Sequence, residues 1–135
     1  MKVFFDQCTA PRMAHTLHGF IRSDGHTAVH LSDILPRSTS DIDWINHLRD
    51  SQDEWLVVTA DKRIRRNRPE REAFRRAGLR AFVLANGFEK QPMHRRCAAL
   101  VNRWPDMSDQ FDKLEPPFMF EPPVAWGARL KQLPF

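Results

Sequence analysis

"WLVVTADKRIRRN", residues 55–67, sets five residues of buried-strand character against one carboxylate and then a block of positive charge. Trp55 to Val58 is uninterruptedly apolar, and Thr59 is β-branched. That pattern fits a strand covered on both faces, as in a parallel sheet, better than one facing water on one side. After Ala60 comes Asp61, and Lys62, Arg63, Arg65, Arg66 and Arg68 crowd the next seven positions. A buried strand that opens on a lone acid and a run of arginine decides both the fold class and where chemistry should be sought.

The flanking sequence repeats the theme. Lys2 to Phe5 is another short apolar run, closed by Asp6. His26 to Leu31 and Arg80 to Leu84 read as further strands, and Phe118 to Phe120 as a last edge strand. Helical spacing of Met13, Leu17, Phe20 and Ile21 predicts a helix over Pro11–Ile21, with Pro11 in its first turn. Ser38-Thr39-Ser40-Asp41 supplies N-cap residues for a helix running from Ile42 to Arg49. Pro69 opens another helix that buries Phe74 and stops at Gly78, and Gln91 to Trp104 forms one more, with Cys97, Leu100, Val101 and Trp104 inward. Strands alternating with helices at this pace predict an α/β protein with a mostly parallel sheet covered on both faces. In such sheets, functional groups collect beyond the carboxyl ends of the strands.

With 135 residues, 41% hydrophobic and 28% charged, the chain is sized and composed for one globular domain. No apolar run reaches the roughly 20 residues of a membrane helix. Met1-Lys2-Val3-Phe4-Phe5-Asp6 meets a carboxylate too early for a signal peptide, so a cytoplasmic protein with no membrane contact is expected. Cys8 and Cys97, the only two cysteines, stand far apart and suit a reducing compartment. Cys8, His15 and His18 lack the paired spacing of a zinc site, and the glycines form neither a GxGxxG nor a P-loop.

Between Lys62 and Arg80 nine basic residues face only Glu70 and Glu72, a local net charge of +7. Eight of the nine are arginines, whose planar fork suits phosphate. A solvated helix face is the plainer reading; contact with a polyanion such as RNA is the functional one.

Asp6 and Asp61 both close strands, and Asp41 opens a helix. Each has a purely structural role open to it: Asp41 as an N-cap, Asp6 and Asp61 as loop-starting residues that accept backbone amides. Brought together they would repel one another unless protons or cations neutralised them, and hard oxygen ligands select Mg2+ or Mn2+. Such an ion lowers the pKa of a bound water and neutralises charge on a phosphate. Acid would then bind metal while the adjoining arginines bind the substrate backbone.

The stretches "MKVFFDQCTAPRMAHTL", "HTAVHLSDIL", "SDIDWINHL" and "WLVVTADKRIRRNRPEREAFRRAGLRAFVL" resemble the PIN-like ribonuclease fold, most closely the subgroup related to VapC toxins. The resemblance covers roughly residues 1–104 and implies a three-layer α/β/α sandwich with an about five-stranded sheet. It also implies a Mg2+- or Mn2+-dependent endoribonuclease, the toxin of a toxin–antitoxin pair, with a cognate antitoxin as partner. Asp6, Asp41 and Asp61 match the family's metal-binding catalytic acids. Lys62, Arg63, Arg65, Arg66 and Arg68 would contact RNA. Asp43 and Glu72 are candidates for a fourth acid, and Asn67 for ordering the loop. Where related sequences often carry Asp-Glu-Asn after the first strand, this one has Asp6-Gln7-Cys8, so a non-catalytic PIN-like module that binds nucleic acid or protein is the alternative.

Residues 105–135 change character, holding six of the ten prolines, and read as a C-terminal extension. Phe118, Phe120, Trp126, Leu130 and Phe135 would pack on the same domain, swap into a homodimer partner, or receive an antitoxin. Trp44 and Trp55 fit a core better than base stacking, and His26 and His30 fit surface or satisfied core positions.

Overall fold

The computed structural model describes residues 1–125 and 127–135; Trp126, one of the tail aromatics, lies outside them. The strands are β1 (Lys2–Phe5), β2 (Thr27–His30), β3 (Trp55–Thr59), β4 (Arg80–Val83), β5 (Phe118–Glu121) and β6 (Lys131–Gln132). They form one sheet in the order β2-β1-β3-β4-β5-β6. The first five are parallel, and β6 pairs antiparallel with β5. The helices are α1 (Pro11–Ile21), α2 (Leu31–Ile34), α3 (Asp41–Asp50), α4 (Arg68–Arg76) and α5 (Met93–Lys113).

Side chains alternate across each strand, so neighbouring residues feed two separate cores. On one face Val3, Phe5, Leu56, Val58, Phe82 and Phe118 pack against the inner stripes of α1 and α5. On the other, Phe4, Val57, Ala81, Val83 and Met119 pack against α3 and α4. The result is the expected α/β/α sandwich, with one more strand than anticipated. Trp44 is fully buried against Phe4, ring centroids 5.0 Å apart, and Trp55 is also buried, which leaves neither for stacking on bases.

The helix expected to end at Trp104 instead runs through Pro105 to Lys113. Proline inside a helix costs about 3 kcal/mol. Here the apolar stripe Leu100, Trp104, Met107 and Phe111 continues unbroken past it, and burying Met107 and Phe111 outweighs the lost hydrogen bond. No element boundary therefore falls between residues 104 and 105. The tail completes the sheet through β5 and β6. Phe118, Phe120 and Leu130 join the α1/α5 core, and Phe135 packs edge-on against Phe74. Among the described residues no helix is long and apolar enough to cross a membrane.

Candidate active site

β1 and β3 lie side by side and run the same way, so Asp6 and Asp61 emerge at the same edge of the sheet. Asp6 is 2% exposed and Asp61 9%. Thr59 joins them: its hydroxyl donates to Asp6 Oδ2 and accepts the Asp61 backbone N–H at 2.9 Å. Asp6 Oδ1 accepts the Cys8 N–H at 3.2 Å, and the Thr9 hydroxyl closes the loop onto the Asp6 carbonyl at 2.8 Å.

Two helices begin above this edge. Ser40, not Asp41, caps α3, by accepting the Asp43 N–H at 3.2 Å. The side chain of Asp41 is thereby free of the capping role and is oriented by the Trp44 indole, which donates to its Oδ1 at 2.9 Å. At the start of α4 the Asn67 side chain caps by accepting the Glu70 N–H at 3.1 Å. The Glu70 carboxyl then reaches Asp41, close enough for the two to share a hydrogen bond if one is protonated.

The electrostatics follow from this crowding. Burial pushes the Asp6 carboxyl up to about 7; the Thr59 hydroxyl opposes that shift, and Asp41 and Asp61 add to it. Glu70 is raised as well, by burial first and then by Asp41 and Asp61. Asp61 moves the other way. Burial alone would raise it, but the Arg63 guanidinium and backbone N–H hold it below the usual carboxylate range. Cys8, facing the same acids, has its thiol pushed up to about 11 by partial burial and then by Asp6, so it carries no thiolate at neutral pH.

Of the expected accessory acids, neither belongs to this group. Asp43 is exposed, and Glu72 is ion-paired with Arg68 at 3.0 Å. Glu70, instead, lies beside Asp41 and Asp61. Its sequence signal was the spacing from Asn67, which reads as ordinary helix capping. Thr59 was missed because a β-branched residue at a strand end needs no functional explanation.

The basic residues are differently engaged. Lys62 donates to the Leu84 carbonyl at 2.6 Å and lies 3.7 Å from Glu121, which ties it to the sheet rather than presenting it to a ligand. Arg63 holds Asp61. Arg65 reaches the Pro134 carbonyl at 3.4 Å, and Arg68 holds Glu72. Arg66 is exposed with no side-chain hydrogen bond among the described residues. Arg80 starts β4 at the opposite edge of the sheet and lies over the Phe111 ring, so it does not extend the basic surface to the acids.

Carboxylate oxygens are the donors that Mg2+ or Mn2+ prefer. Asp6, buried with no cationic partner among the described residues, is the kind of charge such an ion would neutralise. In donor chemistry the residues fit. Among the described residues, however, no three His, Cys, Asp or Glu side chains stand grouped as a ready-made shell.

The site is therefore a group of acids at the carboxyl edge of a mostly parallel α/β sheet, with arginines beside them. A family model described as a PIN-like domain matches residues 1–86, and the chain belongs to that family. No curated protein and no solved structure matches it.

Proposed function

We propose that the protein is a divalent-metal-dependent endoribonuclease. The observation that carries this reading is the Asp6–Thr59–Asp61 bridge with Asp41 and Glu70 bearing on it. Burial and the neighbouring acids raise the cost of charge on Asp6 and Glu70, while Asp61 keeps its charge against Arg63. A bound Mg2+ or Mn2+ would supply an activated water and neutralise charge developing on the phosphate. Asp6, Asp41, Asp61 and Glu70 would hold the ion, Thr59 fixes the spacing of the two strand-end acids, and Trp44 fixes the rotamer of Asp41. Arg63, Arg65 and Arg66 would position the RNA backbone.

The VapC-like resemblance adds the finer reading of a toxin with a cognate antitoxin, or a homodimer, as its protein partner. The rival reading, a non-catalytic module, draws on the absence of a ready-made shell among the described residues. The deciding experiment is RNA cleavage with and without Mn2+ or Mg2+. Cleavage should require the ion and stop in a chelator. It should fall at least about a hundredfold in Asp61→Asn and Glu70→Gln, as removal of a metal-holding carboxylate demands. RNA binding that survives chelation with no turnover in any metal would favour the module instead.

Binding has its own signature. Each phosphate contact contributes a slope of about −0.7 to a plot of log affinity against log salt for single strands. The double variant Arg65→Ala, Arg66→Ala should therefore weaken RNA binding and flatten that slope by about one unit or more. An unchanged slope would move the RNA path away from these residues.

A further inference from the structure

Asp61 is the most heavily engaged acid of the site. Its Oδ1 accepts both the Arg63 backbone N–H at 2.9 Å and the Arg63 Nε–H at 3.0 Å, while Oδ2 accepts Nη2–H at 3.2 Å. A carboxylate offers about four lone-pair positions, so a single residue fills most of them. The two ends of the pair are unlike. Asp61 is 8% exposed in its side chain and anchored at the strand end, whereas the Arg63 side chain is 81% exposed. Among the described residues the Arg63 side chain has no other hydrogen-bond or ion-pair partner. The fork is bidentate, but a guanidinium so exposed can swing into water, or onto another anion, without being desolvated and without breaking any other side-chain contact.

We propose that Arg63 is a latch: it occupies Asp61 in the cation-free protein, is displaced when a divalent ion takes that carboxylate, and is thereby released toward a phosphate of the substrate. The inference rests on the metal-nuclease reading and adds to it an order of events and a coupling. A guanidinium and a divalent cation compete for the same oxygens and repel each other at that distance. Anything that draws Arg63 away, a phosphodiester included, therefore favours the ion. Linkage makes this reciprocal: the ion frees Arg63 and so favours the phosphodiester. Metal and substrate then favour each other: the ion alone frees Arg63, and a phosphodiester that engages the freed guanidinium tightens the ion.

The test is Mn2+ binding by calorimetry, with no RNA present, to the wild type and Arg63→Ala. The variant should bind about fivefold tighter or more, the size of an ordinary coupling between sites. A second measurement uses the unaltered protein. On titration with Mg2+, the side-chain Nε–H resonance of Arg63 should move to the position of an unpaired arginine as the site fills. Equal or weaker Mn2+ binding by Arg63→Ala overturns the latch while leaving the nuclease reading intact. So does an Arg63 resonance that stays put at saturating Mg2+, since tighter binding would then reflect only the lost positive charge. No Mn2+ binding by either protein at millimolar concentration overturns the latch and the metal reading together.

Discussion

Asp6→Asn is expected to be inactive and yet more stable than the wild type at alkaline pH. Both halves follow from the same carboxylate. Under the nuclease reading, loss of the most buried acid should lower cleavage about a thousandfold, the worth of several kcal/mol of charge stabilisation. Stability moves oppositely because Asp6 is buried beside other acids with no cationic partner among the described residues. An unfolded aspartate titrates at its model value of 3.8, while the folded one is pushed up to about 7. The folded state therefore holds the proton more tightly. Stability is fully present below the unfolded value, falls as pH rises from about 4, and levels off above about 7.

A difference of that size corresponds to roughly 4 kcal/mol, or about 10–15 °C in Tm for a domain of this length. Asparagine cannot ionise, and it keeps an oxygen for the Cys8 N–H. Melting curves in chelator should show the variant above the wild type at pH 8 and the two converging near pH 4. Adding Mn2+ should raise the wild type and leave the variant nearly unmoved, because only a native state that binds the ion gains from it. A variant that melts below the wild type at pH 8 would mean that Asp6 is retained for its hydrogen bonds and carries no frustrated charge.

The site was legible in the sequence to the extent that its groups announce themselves locally. Asp6 and Asp61 end apolar runs, and Asp41 opens a helix behind an obvious cap. Glu70 did not stand out, because its partner Asp41 lies nearly thirty positions away and its spacing from Asn67 already had a sufficient explanation. The arginine block was legible as charge but not as occupation. Nothing in the string distinguishes Arg66, which is exposed, from Lys62, which is tied to Leu84, or Arg63, which folds back on Asp61. The same distinction runs through the fold. β1, β3 and β4 read as apolar runs, and α1 and α3 as periodic stripes with recognisable starts. α2, at four residues, and β6, at two, are too short to carry a period. α5 passed its apparent stop because a proline weighs on the sequence reading more than the apolar stripe beyond it, whereas packing weighs them the other way.

The C-terminal segment depends on a residue that sequence reading passed over. Arg103 on α5 is 2% exposed, the most deeply buried arginine among the described residues. Its Nε donates to the Pro123 carbonyl at 2.9 Å, and its two Nη groups donate to the carbonyls of Ala125 and Ala128. Asp106, one helical turn on, supplies the counter-charge at 3.5 Å. One guanidinium thus satisfies three backbone acceptors in the loop between β5 and β6, which no strand or helix could otherwise pair. The planar, five-donor fork is what makes this feasible; lysine would reach one carbonyl and leave the others bare. Arg103→Met should cost about 3–5 kcal/mol, the usual penalty for breaking a buried charged network. That lowers Tm by roughly 10 °C or more and exposes the loop to protease. Arg103→Lys should fall between. The loop follows directly from β5, which pairs with β4, so its loss should unfasten the edge of the sheet away from β1 and β3. The acids would then keep their places while the tail opens. Limited proteolysis should accordingly cut first between residues 122 and 130, leaving a core that still contains Asp6, Asp41, Asp61 and Glu70. A variant within about 1 kcal/mol of the wild type and equally resistant would show that water satisfies those carbonyls as well as the arginine does.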